Sequence, residues 1–182
     1  MKLIRCLGCL ALAVIMDGAA LALARETPIV PPEFTHRRAG DWLNSEPLTL
    51  VGLRGKVVLV EFWAFECSNC VNSLSWLDKM ARSREAAGLV VVGVHTPEWA
   101  AERSVENVRS AVKRFEIRHP VMVDSDYSYW NALHNHFWPT FYLIGRDGLL
   151  YGKVVGEMHA GAQPAIGLEG AIDRLLAVGP QG

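Results

Sequence analysis

An apolar, largely β-branched run, Val57-Val58-Leu59-Val60-Glu61-Phe62-Trp63, ends just before Cys67-Ser68-Asn69-Cys70. Its continuous apolar character fits a strand covered on both faces. After it, Cys70, Leu74, Leu77 and Met80 recur at helical spacing, which predicts a helix over 67–87 that ends at Gly88. The C-x-x-C therefore stands where a buried strand turns into a helix. A helix opening at Cys67 points unpaired N–H groups and the positive end of its dipole at that sulfur, and both favour thiolate. Cys70 lies one turn further in, on the buried side, placed to resolve a mixed disulfide formed by Cys67. The pair points to redox chemistry. The competing reading is structural zinc. That needs four ligands, and beyond the N-terminal segment there is no second C-x-x-C and no histidine in ligand-like spacing, so no metal site is expected. Glu66 is acidic and partly offsets the dipole, so an extreme thiolate is not expected. Ser68 and Asn69, between the cysteines, tune the potential.

Residues 1–24 read as a secretory signal: basic Lys2 and Arg5, an apolar core from Leu7 to Met16, and Ala22-Leu23-Ala24 as the small-x-small site before Arg25. The apolar run is interrupted by Asp17-Gly18 and falls short of the ~20 residues of a spanning helix, although an uncleaved N-terminal membrane anchor is the alternative. Cys6 and Cys9 lie in this segment, so the exported chain is expected to carry one dithiol. The expected location is periplasmic or otherwise extracytoplasmic, where disulfides persist. The whole sequence carries 18 basic and 19 acidic residues, and this near-neutral balance excludes a strong field for nucleic acid or anionic membrane. No nucleotide, haem or other cofactor is expected.

The proline-bearing stretch 25–39 reads as a flexible, extended arm, and 40–182 as one domain. Asp41-Trp42-Leu43 and Leu48-Thr49-Leu50 predict an N-terminal hairpin across Asn44-Ser45-Glu46-Pro47. Leu89 to Val94 predicts a second buried strand, and Val105, Val108, Val112 and Phe115 a second amphipathic helix. Pro120 to Val123 reads as a short strand. Asp126 reads as the cap of a helix holding Trp130 and Leu133, and Asp124-Ser125-Asp126 as capping residues in preference to a cation site. Thr140 to Ile144 and Leu149 to Val155 form a hairpin about Gly145-Arg146-Asp147-Gly148, and Ala171, Ile172, Leu175 and Leu176 line a last helix. The order implies an α/β domain: a central mixed sheet with parallel pairs, helices on both faces and antiparallel strands added by the final hairpin.

Two further features carry chemistry. Glu61 interrupts the buried strand six residues before Cys67. An enclosed carboxyl titrates high, which suits it to exchange a proton with Cys70; the alternative is an edge-strand glutamate facing water. Trp138-Pro139-Thr140 sets a proline against the start of a strand, which marks a special turn; a cis bond there is one option, and sequence physics alone does not select it.

Glu61-Phe62-Trp63-Ala64-Phe65-Glu66-Cys67-Ser68-Asn69-Cys70, with Trp138-Pro139-Thr140 far downstream, resembles the thioredoxin superfamily. The helix and strand inserted between Ala101 and Val123 resemble its exported TlpA-like and ResA-like branch. Gly93-Val94-His95-Thr96-Pro97-Glu98 and Asp126-Tyr127-Ser128-Tyr129-Trp130-Asn131-Ala132 are similar to the thioredoxin-like part of DipZ-type proteins. The resemblance, from about Asp41 to Leu176, implies a thioredoxin-like fold with Cys67 as exposed nucleophile and Cys70 as resolving thiol. It implies that Glu61 is the buried acid near the second cysteine. It implies that Pro139 is a cis-proline packed against the dithiol, presenting backbone to a substrate strand. The candidate substrate-binding residues are Trp138, Pro139, Thr140, Ser68 and Asn69. The acid is Glu where Asp is commoner, and Glu66 stands where an aromatic is frequent. DipZ-type proteins fuse this domain to a membrane electron carrier, so a separate membrane electron donor is the expected partner, besides protein dithiol and disulfide substrates.

The expected activity is thiol–disulfide exchange in the reducing direction, as in cytochrome c maturation. The alternatives are a disulfide-introducing oxidant or a copper-handling module; the latter typically spaces its cysteines C-x-x-x-C, which this chain lacks. A peroxidase of related fold wants a threonine where Ala64 stands. His95 and Trp99 follow a central strand, where ligand crevices form, and His134 and His136 precede Trp138; the histidines read first as packing or surface residues.

Overall fold

The computed structural model describes residues 28–179; the expected signal at 1–24 lies outside them. Among these residues, six strands form one mixed sheet: β1 (Trp42–Leu43), β2 (Val57–Trp63), β3 (Leu89–His95), β4 (Val121–Val123), β5 (Thr140–Ile144) and β6 (Leu150–Val155), in the order β1-β4-β3-β2-β5-β6. The helices are α1 (Ser68–Arg84), α2 (Val105–Arg114), α3 (Ser128–Ala132) and α4 (Gln163–Ala177). As the alternation of elements predicts, β2, β3 and β4 run parallel, while β5 and β6 are antiparallel additions beside β2. No helix among the described residues is long and apolar enough to cross a membrane.

All seven residues of β2 are buried, and strand alternation sorts them onto two faces. Val57 and Leu59, with Phe141 and Leu143 of β5, pack under Trp76, Leu77 and Met80 of α1 and Leu168 and Ile172 of α4. Val58, Val60 and Phe62 face the other way, onto Phe34, Trp42, Leu50, Tyr129 and Trp130. At the far end of the parallel strands a third cluster joins Trp63, Phe65 and both cysteines to Val108, Ala111 and Val112 of α2.

Two expectations need correcting. The N-terminal hairpin does not form. Trp42 and Leu43 pair antiparallel with Met122 and Val121 of β4, and residues 48–50 enter a turn in which Leu53 N–H reaches Thr49 O at 3.1 Å. Asn44 decides this. It adopts φ +64°, and its side-chain amide donates to Ile117 O at 2.8 Å and His119 O at 3.0 Å, fastening β1 to the segment that leads into β4. The arm is extended, as its prolines imply, but from Pro28 onward it is not free. Ile29 pairs with Leu150, and the Glu33 carboxylate accepts from Leu50 N–H at 2.6 Å and Val51 N–H at 3.2 Å. Phe34 is enclosed by Trp42 and Tyr129, a burial that stabilises the docked arm by roughly 2–3 kcal/mol.

Helix α3 has Tyr127, at φ +60°, in the N-cap position expected for Asp126. Asp126 Oδ1 accepts from Ser128 N–H at 2.9 Å, but the deeper work falls to Asp124. Its Oδ1 accepts from Tyr129 N–H at 2.9 Å, and its Oδ2 from Trp130 N–H and the Thr96 hydroxyl, both at 3.0 Å. These bonds satisfy first-turn donors of a helix too short to hold itself, and they tie it to the loop after β3. Replacing Asp124 with Ala would strand two buried N–H groups and a hydroxyl, so D124A is expected to lose about 2–4 kcal/mol of unfolding free energy in a urea titration.

Candidate active site

Cys67 is the N-cap of α1, and its Sγ accepts the Cys70 N–H at 3.3 Å. The two cysteines form a disulfide with Cα atoms 5.3 Å apart. They are not equivalent: Cys67 keeps 8% exposure and lines a surface cleft, whereas Cys70 is enclosed. The asymmetry follows from helical geometry. Cys70 lies one turn deeper into the helix on the same face, while the capping residue stays at the helix mouth.

The cleft, about 320 Å³, is walled by Glu66, Cys67, Ser68 and Asn69 on one side, by Glu98 and Trp99 on another, and by Trp138. All three segments meet at one edge of the sheet, where β2 and β3 end and β5 begins. Such an edge is where open α/β sheets leave room for ligands. A second hollow of about 380 Å³, between β1 and α2, is lined by Arg109, Lys113 and Arg118 and holds neither cysteine.

The Trp138–Pro139 peptide is cis. The Trp138 indole donates to Thr96 O at 3.0 Å and stacks on Trp130 with centroids 4.1 Å apart, so its ring is fixed at the cleft wall. Pro139 and Thr140 lie behind that wall and not on it. The Pro139 carbonyl accepts from Gly156 N–H at 2.9 Å, and the buried Thr140 hydroxyl donates to Phe137 O at 2.7 Å. Of the five expected substrate-binding residues, then, Ser68, Asn69 and Trp138 line the cleft, and Pro139 and Thr140 do not.

Glu61 is fully enclosed, and neither carboxylate oxygen has a hydrogen-bond partner among the described residues. The solvent-facing alternative is removed by topology, since β2 has β3 on one edge and β5 on the other, with Glu61 in register between Gly93 and Phe141. Alternation puts it on the sheet face of Val57 and Leu59, the face α1 covers. Burial alone pushes its pKa up to about 8, so the site holds a neutral acid at neutral pH.

His95 does not shape the cleft. It is wedged between the rings of Trp63 and Phe65, with centroids 5.0 and 5.4 Å away, and burial pushes its pKa down to about 3. It is a neutral packing group. His134 and His136 are exposed and lie outside the cleft lining. Trp99 does stand on the rim, 64% exposed.

One residue of this site escaped sequence reasoning. Glu102, enclosed in the short 3-10 turn Ala100–Arg103, accepts backbone N–H groups from both walls of the cleft: Glu66 at 2.8 Å on one oxygen, and Glu98 at 2.7 Å and Trp99 at 2.8 Å on the other. The local signal was a glutamate three residues after a turn-opening position, as in a capping box. Trp99 in place of Ser or Thr hid it.

Comparison with known proteins agrees with this geometry. The sequence profile of the Redoxin family matches residues 31–167. Protein DipZ of Mycobacterium tuberculosis is 38% identical over 119 residues, 64% of this chain and 17% of that protein. The thiol-disulfide oxidoreductase YkuV of Bacillus subtilis is 27% identical over 146 residues, 80% of this chain and 93% of that one. Several curated relatives are far longer, and the chain spans only 14–19% of their length. A thioredoxin-like protein solved in its oxidized form superposes with a TM-score of 0.67 at 27% identity, covering 82% of this chain and 95% of that chain. With a profile match across most of its length and this fold around a C-x-x-C, the chain belongs to the Redoxin family and has the thioredoxin-like fold.

Proposed function

We propose that this protein is an extracytoplasmic thiol–disulfide oxidoreductase that reduces disulfides in partner proteins, apocytochrome c among them, and is recharged by a membrane electron donor. The observation that carries the reading is the inequivalent pair: a disulfide joining a sulfur that lines a cleft to one that is enclosed. YkuV, a relative matched over nearly its whole length, bears the name thiol-disulfide oxidoreductase, and the signal-like residues 1–24 support export.

In the reduced protein, Cys67 thiolate, favoured by the α1 terminus, attacks one sulfur of the partner disulfide. A Cys67–partner S–S bond forms as the partner bond breaks, and the partner's other sulfur leaves as thiolate and takes a proton. Cys70 then loses its proton and attacks Cys67 Sγ, closing the disulfide and releasing the second partner thiolate. Two electrons have passed to the partner, and an external dithiol restores the pair. Glu61, on the sheet face beneath α1, exchanges a proton with Cys70 in this scheme: its ionised fraction, which grows as pH rises towards 8, accepts the Cys70 proton. Trp138, Ser68 and Asn69 contact the partner segment, with Thr96 and Trp130 holding the Trp138 ring in place.

The first test is the reduction potential of the Cys67–Cys70 pair. A value near or below about −230 mV is expected for a reductase, and one above roughly −150 mV overturns the direction. In an insulin-reduction assay driven by dithiothreitol, C67S is expected to abolish turnover, and C70S to accumulate the mixed disulfide on Cys67. Undiminished activity in C67S overturns the mechanism.

Glu61 adds a pH signature. Its folded-state pKa stands at about 8 against the ordinary 4.5, so the fold favours the protonated form. That contribution is complete below about pH 4.5 and is lost as pH rises through 8. The parent is therefore expected to lose several kcal/mol, on the order of 5, across this window. E61Q should be nearly flat there and more stable than the parent above pH 8, as read from denaturation midpoints at each pH.

A further inference from the structure

We propose that Glu102 is a positioning residue that sets the width of the partner cleft by binding both of its walls at once. The inference rests on the reading of the cleft as the partner site. The cleft has Cys67 on the wall made by the β2–α1 junction and Trp99 on the wall made by the loop after β3. These walls come from separate segments of the chain, and a single enclosed carboxylate, 36 residues from Glu66, joins them. One oxygen takes the N–H of Glu66, the residue directly before the redox cysteine. The other takes the N–H groups of Glu98 and Trp99.

The turn that carries Glu102 is itself anchored. Asn107 Nδ2 donates to Ala101 O at 2.8 Å, and Arg103 Nη1 to Ser125 O at 3.1 Å, while the Ser125 hydroxyl donates back to Arg103 O at 3.1 Å. The loop tip leans on that turn: Glu98 and Trp99 are exposed, their backbone N–H groups both end on the Glu102 carboxylate, and the Trp99 carbonyl accepts the Glu102 N–H at 3.1 Å, while the Pro97 carbonyl behind them accepts the Tyr127 hydroxyl. A carboxylate suits this position because three donors converge on it and it has only acceptors to offer. Glutamine, nearly the same size, presents one acceptor and one NH2 group. It can satisfy one wall but turns a donor towards the other.

The consequence concerns large partners. A protein disulfide must lie between both walls to bring its sulfur to Cys67, so a released wall weakens its binding. A small disulfide meets the Cys67 sulfur and little else. The carboxylate touches neither cysteine sulfur nor the reacting bond, which makes its role one of geometry.

The test uses the full chain and E102Q, with insulin as the protein disulfide and cystamine as the small one. For E102Q the KM for insulin is expected to rise about tenfold with kcat within about twofold, while the rate constant of the reduced protein with cystamine and the reduction potential stay at parental values. Equal losses towards insulin and cystamine, or no loss towards insulin, overturn the proposal. Amide hydrogen exchange on the parent chain is independent of whether the variant folds. The Glu66, Glu98 and Trp99 amides are expected to be protected together, and to lose protection together in E102Q if it folds. Rapid exchange of these amides in the parent overturns the proposal. C67S separates the two levels: insulin reduction that survives in C67S defeats the functional reading, while the exchange data still decide whether Glu102 holds the walls.

Discussion

Strand β2 has a partner on each edge and an apolar layer on each face, so no side chain in it reaches water. Much of the site follows from that enclosure. The chain leaves the sheet at Trp63 with its direction already set, and the next helix must start over the sheet edge with its N-terminus at the surface. Cys67 caps that terminus, where N–H groups lacking helical partners favour an anionic sulfur. Cys70 is carried inward by the same helix and shut away from solvent.

The same enclosure makes Glu61 unusual. A carboxyl in a central strand with no hydrogen-bond partner is costly when charged, and it answers by holding its proton. A residue that harms the strand as packing thus becomes an acid that keeps its proton up to about pH 8, on the face α1 covers. An enclosed, unpartnered carboxyl is a local conflict with foldability.

Around this rigid centre, polar side chains do the joining that the sheet cannot. Asp124 binds α3 to the loop after β3, Glu33 binds the N-terminal arm to residues 50 and 51, and Glu102 binds the cleft walls. In each case a carboxylate of a loop, turn or docked segment collects backbone N–H groups that regular structure leaves unpaired. The pattern is expected where short elements meet, because buried donors must find an acceptor somewhere.

Much of this was legible in residue order. The apolar run over β2 and the helical spacing after it placed Cys67 and Cys70 at a strand–helix joint. The alternation of later elements predicted the parallel pairs, and Gly145 to Gly148 the final hairpin. Those signals are local: burial on both faces, a 3.6-residue period and turn chemistry are written in neighbouring residues. Residues far apart settled the rest. The hairpin expected over 41–50 lost to Asn44 reaching Ile117 and His119, and the arm expected to be free was captured through Phe34. Resemblance, not spacing, suggested a cis bond at Pro139, and only the packed turn displays it. Glu102 had no local signature strong enough to find, because its partners lie on two loops that meet only when the sheet is assembled. Sequence alone therefore determined the dithiol, its place on the chain and the class of fold, since each depends on residues within a turn or a strand of one another. Tertiary structure alone decided which expected residues line the cleft and which carboxylate collects N–H groups from its two walls, because those depend on contacts between segments dozens of residues apart.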